Sequence, residues 1–221
     1  MRPLHSAPLA RCMYCLASGV PRTEEHLIPR ALGGRATLRD AVCEPCRRIT
    51  GRLEHATLER EFLVPKTLLA LKRRRARGKG PSRLPAILCV GDQTPSTTTA
   101  DTFPRSFCLP AFEPARLLTD ADRPNALPRI DFIECRLNLG TPTRQANAAA
   151  TPLVDPLAYA QSIAKWAYAL AVAERGLECC DTQAMRDLLL GKRDDAFAFV
   201  GTPCPRAPAS CEWLHDFALR D

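Results

Sequence analysis

Long apolar runs are missing from this chain. The longest near its C-terminal half, Ala167 to Ala173, covers seven residues, against the roughly 20 a bilayer-spanning helix needs. A membrane span is therefore not expected. The first fifteen residues hold no apolar core of the kind a secretory signal carries. No motif recurs at the periods that mark repeat arrays. Aromatic residues make up only 6% of the chain, so extended stacking surfaces are scarce. Residues 81–221 lack a nucleophile–base pair or a phosphate-cradling glycine loop, which leaves no independent enzyme signature there. Without an export signal, the eleven cysteines read as thiols and metal ligands rather than a disulfide framework. A cytoplasmic protein is expected.

Positive charge is present in excess, and it is unevenly placed. The net charge is +7 and the pI about 9.0. Residues 1–80 hold 17 of the 31 basic residues and seven of the 24 acidic ones. Such asymmetry points to a module that faces nucleic acid, joined to a near-neutral body. The strip Lys72, Arg73, Arg74, Arg75, Ala76, Arg77, Gly78, Lys79 would neutralise phosphates without reading bases. The alternative reading is a flexible, solvated linker.

The order of elements suggests an α+β chain in two parts, 1–80 and 81–221. Strands are expected at Leu84–Val90 and Arg129–Leu137, with a long loop from Gly91 to Pro128 between them. Asp155 as cap, Pro156 at the first turn and Gly176 beyond the end frame a helix of about twenty residues. Leu157, Ala160, Ala164, Ala167 and Ala171 are expected on its buried face. Thr182–Leu190 reads as a shorter helix and Ala196–Val200 as a strand. Trp166, Tyr168 and Phe197 read as core rather than ligand platform.

The strongest chemical signal is Cys12-x-x-Cys15 followed by Cys43-x-x-Cys46. Two such knuckles complete a tetrahedral site for a structural zinc ion. The 27 residues between the pairs exceed a simple ribbon, so something substantial is inserted. The insertion contains Glu25-His26-Leu27-Ile28-Pro29 and Leu32-Gly33-Gly34, and beyond it come Asp40-Ala41-Val42-Cys43-Glu44-Pro45-Cys46 and Gly51-Arg52-Leu53-Glu54.

In that order, over about residues 10–65, these motifs resemble the HNH endonucleases whose catalytic hairpin is framed by two CxxC knuckles. Residues Ile163–Gly176 also look like the tail of some bacterial members. The resemblance implies a zinc-stapled ββα-metal module and a bacterial or phage nuclease. Its chemistry would be phosphodiester hydrolysis in DNA, or RNA, with magnesium or manganese as catalytic ion. It makes His26 the general base and Glu25 a ligand of that ion. An imidazole titrates near neutrality and so suits proton abstraction from water. In a regular strand Glu25 and His26 point to opposite faces, so the hairpin must be distorted there.

One position departs from the family pattern. Arg47 stands directly after the second knuckle, where the family usually has His or Asn as a further ligand. A guanidinium has no lone pair to give a cation. Asp40 stands near the family's middle Asn. Glu54 is a candidate replacement ligand: seven residues after Arg47, it returns to within about 20° of the same helix face, though roughly 10 Å further along the axis. Thr50 lies between them. His55 falls about 80° off that face. Arg30, Arg47 and Arg48, with Lys72, Arg73, Arg74 and Arg75, are the candidate phosphate-contacting cations. Arg47 also opens a second reading, a catalytically degenerate module that binds nucleic acid or a protein partner. A third is a purely structural zinc module that stabilises an enzyme of unknown chemistry in 81–221. His5 and His215 read as surface residues; Cys204 and Cys211 read as buried thiols or a second, weaker metal pair.

Overall fold

Cys43 ends a strand and Glu44 begins a helix, and this junction organises the N-terminal module of the computed structural model, which describes residues 7–68, 83–86, 96–99, 106–119, 128–136, 155–178 and 182–202. Strands β1 (Arg22–His26) and β2 (Thr37–Cys43) form an antiparallel hairpin. Helix α1 (Glu44–Glu59) follows without a loop, with Pro45 in its first turn, where a missing N–H costs no hydrogen bond. A short helix α2 (Leu63–Leu68) comes next. The result is the strand–strand–helix order of a ββα module.

Beyond it, β3 (Arg83–Ala86) pairs with β4 (Ser96–Thr99), and β5 (Ser106–Phe112) with β6 (Ile130–Arg136), both antiparallel. The expected strand at 84–90 is thus present as Arg83–Ala86, the rest lying outside the described residues. The expected loop at 91–128 is corrected, because it contains β4 and β5. Pro, Ser and Thr biased that reading, while full-length pairing with β6 outweighs local propensity.

Helix α3 (Pro156–Arg175) obeys its sequence signals. The Asp155 carboxylate accepts from the Ala158 N–H at 3.1 Å, and Gly176 follows with φ 80°. Its expected alanine face needs correction. Ala160 and Ala164 are buried, but Ala167 is exposed and Ala171 half-buried. Burial extends instead to Gln161, Ser162, Lys165, Trp166 and Tyr168, so most of the helix is enclosed and polar groups go in with it. Helix α4 (Gln183–Leu189) matches expectation. The expected strand at 196–200 is a one-turn helix, α5 (Ala196–Phe199). The Val200 N–H donates to the Ala196 carbonyl at 2.9 Å, and a short apolar run does not distinguish the two periods.

One core joins the module to these helices. Tyr14, Leu38, Val42 and Phe62 share it with Tyr159, Trp166, Tyr168, Leu188 and Phe197. Trp166, Tyr168 and Phe197 are core residues, as expected. Most of the described aromatics concentrate there: Phe62 lies 5.6 Å from Trp166 and 5.9 Å from Tyr159, and Phe112 lies 5.1 Å from Phe197. Each such side chain contributes about 1.5–3 kcal/mol on burial. Between α1 and α3 the Thr57 and Ser162 hydroxyls hydrogen-bond at 2.8 Å. That contact fixes how α3 lies against the module. No helix among the described residues is long and apolar enough to cross a membrane.

Candidate active site and metal centre

The four knuckle cysteines converge. Cys12 opens a tight turn in which the Leu16 N–H donates to the Cys12 carbonyl at 2.9 Å, with Leu16 at φ 60°. Cys43 and Cys46 straddle the β2–α1 junction. Their four sulfurs lie within 4.8 Å of one another, and Cys15 Sγ is 3.6 Å from Cys43 Sγ. A tetrahedron with zinc–sulfur bonds of about 2.3 Å has edges of about 3.8 Å. The Cys43 N–H donates to Cys12 Sγ at 3.5 Å, a contact that steadies a thiolate. Burial and the adjacent sulfurs drive the Cys46 thiol far up, so four thiolates share this space only around a cation. Donor type and spacing both fit zinc.

The hairpin carries the distortion that its sequence demands. Thr23 faces Val42, yet Glu25 faces Leu38, so Arg39, Asp40 and Ala41 bulge opposite Glu24. Asp40 takes φ 48°, in the left-handed region that Asp tolerates better than most residues. The bulge is held by its carbonyls. Arg39 accepts from the Leu9 N–H at 3.1 Å, Ala41 from the Met13 N–H at 2.8 Å, and Asp40 from Arg22 Nε at 2.8 Å. The knuckle thereby shapes the hairpin, and Glu25 turns inward while His26 stays half-buried.

Both nevertheless line the same cleft, of about 450 Å³. Strand β1 supplies Thr23, Glu24, Glu25 and His26; α1 supplies Glu44, Arg47, Thr50, Gly51 and Glu54; α3 supplies Lys165. The Arg47–Thr50–Glu54 face inferred from the helical wheel is present. His55 is exposed and outside the cleft, as is Arg30. Lys72, Arg73, Arg74 and Arg75 lie outside the described residues, as do His5, His215, Cys204 and Cys211.

His26 Nε2 stands 3.8 Å from Glu24 Oε1, and its Nδ1 is buried without a protein partner. Burial draws the imidazole below its ordinary value of 6.5, with Glu24 pulling the other way. Arg47 grips Glu44 with two hydrogen bonds, at 2.7 and 3.0 Å, and Arg48 reaches the same carboxylate at 2.9 Å. These contacts bring the Glu44 carboxyl down to about 2. All three side chains are well exposed, so the cluster adds little stability.

Lys165 is the site residue that motif reading passes over. Its Nζ lies 2.7 Å from Glu25 Oε1 and also bonds Glu54 Oε2. Burial pulls the amine down, and the two carboxylates more than offset it, so it is held as an ammonium. Burial pushes the Glu25 carboxyl up while Lys165 opposes that. The Tyr14 hydroxyl lies beside Glu25, outside hydrogen-bonding geometry. The signal was a lone lysine in a helix of Ala, Trp, Tyr and Leu: a charge there demands a buried partner.

This arrangement does not fit the magnesium or manganese ion that the resemblance implied. Glu25 and Glu54 are suitable oxygen donors for such an ion. Their carboxylates already close on an ammonium, and the adjoining position holds Arg47, which cannot coordinate.

A hairpin and helix stapled by a four-cysteine cluster, with an acid–His pair facing the helix, define the ββα-metal class. Residues 12–63, about a quarter of the chain, match the model of a family described as HNH endonuclease. No curated protein and no solved structure matches the chain.

Proposed function

We propose that the protein is an HNH-type endonuclease that hydrolyses phosphodiester bonds in DNA, with RNA as the other candidate polymer, and that it works in the cytoplasm. Residues 1–80 carry the chemistry, and the region 81–221 contributes α3 to the wall of the cleft. The observation that carries this reading is the position of His26 at the cleft, beside Glu24, within the HNH-matched segment. A neutral imidazole there accepts a proton from water at physiological pH. The water oxygen bonds to phosphorus as the bond to the leaving sugar oxygen breaks. That oxygen then takes a proton from solvent. Glu24 steadies the imidazolium that forms. Arg47 in the cleft lining, with Arg48 and Arg30 outside it and the strip Lys72–Arg75, would hold the phosphate backbone. Loss of plasmid nicking on His26→Ala tests the proposal.

A second reading has its own support. Arg47 and Lys165 occupy positions where a metal-dependent site needs ligands and an ion, as in a module that binds nucleic acid or a partner protein without cleaving. Salt-sensitive DNA binding with no cleavage under any condition would select it.

A further inference from the structure

The Glu25–Lys165–Glu54 contact concerns the cleft of the proposed nuclease, and it rests on that reading only for its cleavage arm. Two hard oxygen donors from different elements, β1 and α1, converge on one point. The cation found there is covalently part of the chain. Lys165 Nζ is within ion-pair distance of both carboxylates, and two of its three donors are thereby accounted for. Its side chain is 4% exposed, and that of Glu25 7%.

The ammonium is also held from behind. Three residues earlier on α3, Ser162 hydrogen-bonds Thr57 at 2.8 Å. The next residue, Trp166, packs on Phe62 at 5.6 Å. Tyr168 Oη donates to the Met13 carbonyl at 2.6 Å. The base of the Lys165 side chain is therefore fixed on both sides. Withdrawing the ammonium would leave two carboxylates facing each other in a largely dry site. A divalent ion entering beside it would meet like charge at contact distance, and oxygens already engaged. Arg47, on the same lining, adds a second cation and no lone pair.

We propose that Lys165 is the built-in cation of this cleft: its ammonium takes the place between Glu25 and Glu54 that a divalent ion would take, so the cleft excludes magnesium and manganese and works without them. The ammonium neutralises part of the charge of Glu25 and Glu54 and holds both carboxylates in place beside His26, which takes the water proton. No further co-reactant is needed.

The test uses the full chain loaded with zinc and titrated with Mn²⁺, following the free-ion signal by electron paramagnetic resonance. The wild-type protein is expected to leave that signal unchanged into the millimolar range. Lys165→Met is expected to take up one ion per chain, at least tenfold more tightly, and adding Glu25→Gln should abolish the uptake. Uptake by the wild type that Glu25→Gln removes would overturn the proposal. The wild-type titration decides the matter even where Lys165→Met does not fold. In parallel, wild-type nicking is measured with and without a chelator, zinc content being checked afterwards. Equal rates support the built-in cation, and strictly magnesium-dependent nicking overturns it. No nicking in either condition, with Mn²⁺ still excluded, defeats the nuclease reading and leaves the cation assignment standing.

Discussion

Tyr168 Oη donates a 2.6 Å hydrogen bond to the carbonyl of Met13, the residue after the first zinc-knuckle cysteine. The core helix α3 is thereby tied to the metal-binding turn, and both partners are buried. Tyr168→Phe should lower stability by about 1–2 kcal/mol, since it strands a buried carbonyl. The midpoint of urea unfolding checks this, with far-ultraviolet circular dichroism of the folded state unchanged.

Metal removal should reach well beyond the knuckles. Cys12, Met13 and Tyr14 are buried in the same core as α3, so loss of the ion loosens residues that pack on the helix. One zinc per chain is expected by elemental analysis, and Cys43→Ser should abolish it. Structural zinc sites of this kind contribute on the order of 10 kcal/mol, so a strong chelator should melt α3 together with the module. An unchanged thermal transition after zinc loss would show that the cluster is not a folding element.

Two glycines should respond in opposite directions. A Cβ on Gly34 would collide with the backbone of Ile28. Gly34→Ala therefore forces the loop between β1 and β2 to shift, at a cost of about 1–3 kcal/mol. Gly51 sits exposed inside α1 with nothing within 4 Å of its added Cβ. Gly51→Ala should stabilise by up to about 1 kcal/mol through helix propensity. Paired denaturation curves measure both.

The pH dependence follows from His26. Its folded value lies below the ordinary 6.5 because burial disfavours the charged ring. As the proposed base, His26 therefore stays unprotonated somewhat below pH 6.5, and the acid limb of kcat/KM should fall there rather than at 6.5. For stability the sign is also fixed. Between the ordinary and the lowered value the unfolded chain binds a proton that the folded chain does not. Stability therefore falls as pH drops through that window, and His26→Ala should flatten this slope. Thermal melts across the window read it directly.

Much of the candidate site was legible because its geometry is local. Paired CxxC turns put four sulfurs within reach, and helical periodicity brought Arg47, Thr50 and Glu54 to one face. The need for a distortion at Glu25–His26 followed from strand alternation. Its form, a bulge at Arg39–Ala41 held by Leu9 and Met13, depends on contacts no local pattern encodes. Lys165 was missed for the same reason. Its partners lie on β1 and α1, and only the packing of α3 against the module brings them together. The misread turn at Ala196–Phe199 and the strands inside 91–128 are the same failure in the fold: short apolar or Pro-rich stretches take the structure their neighbours impose.

The most direct test of the account is plasmid nicking by the wild-type chain beside His26→Ala, at matched zinc content. General-base removal should slow cleavage by about 100-fold or more, with folding and salt-dependent DNA binding retained. Equal cleavage by the two proteins, or none by the wild type in any ionic condition while DNA binding persists, would contradict the assignment of His26 as the catalytic base.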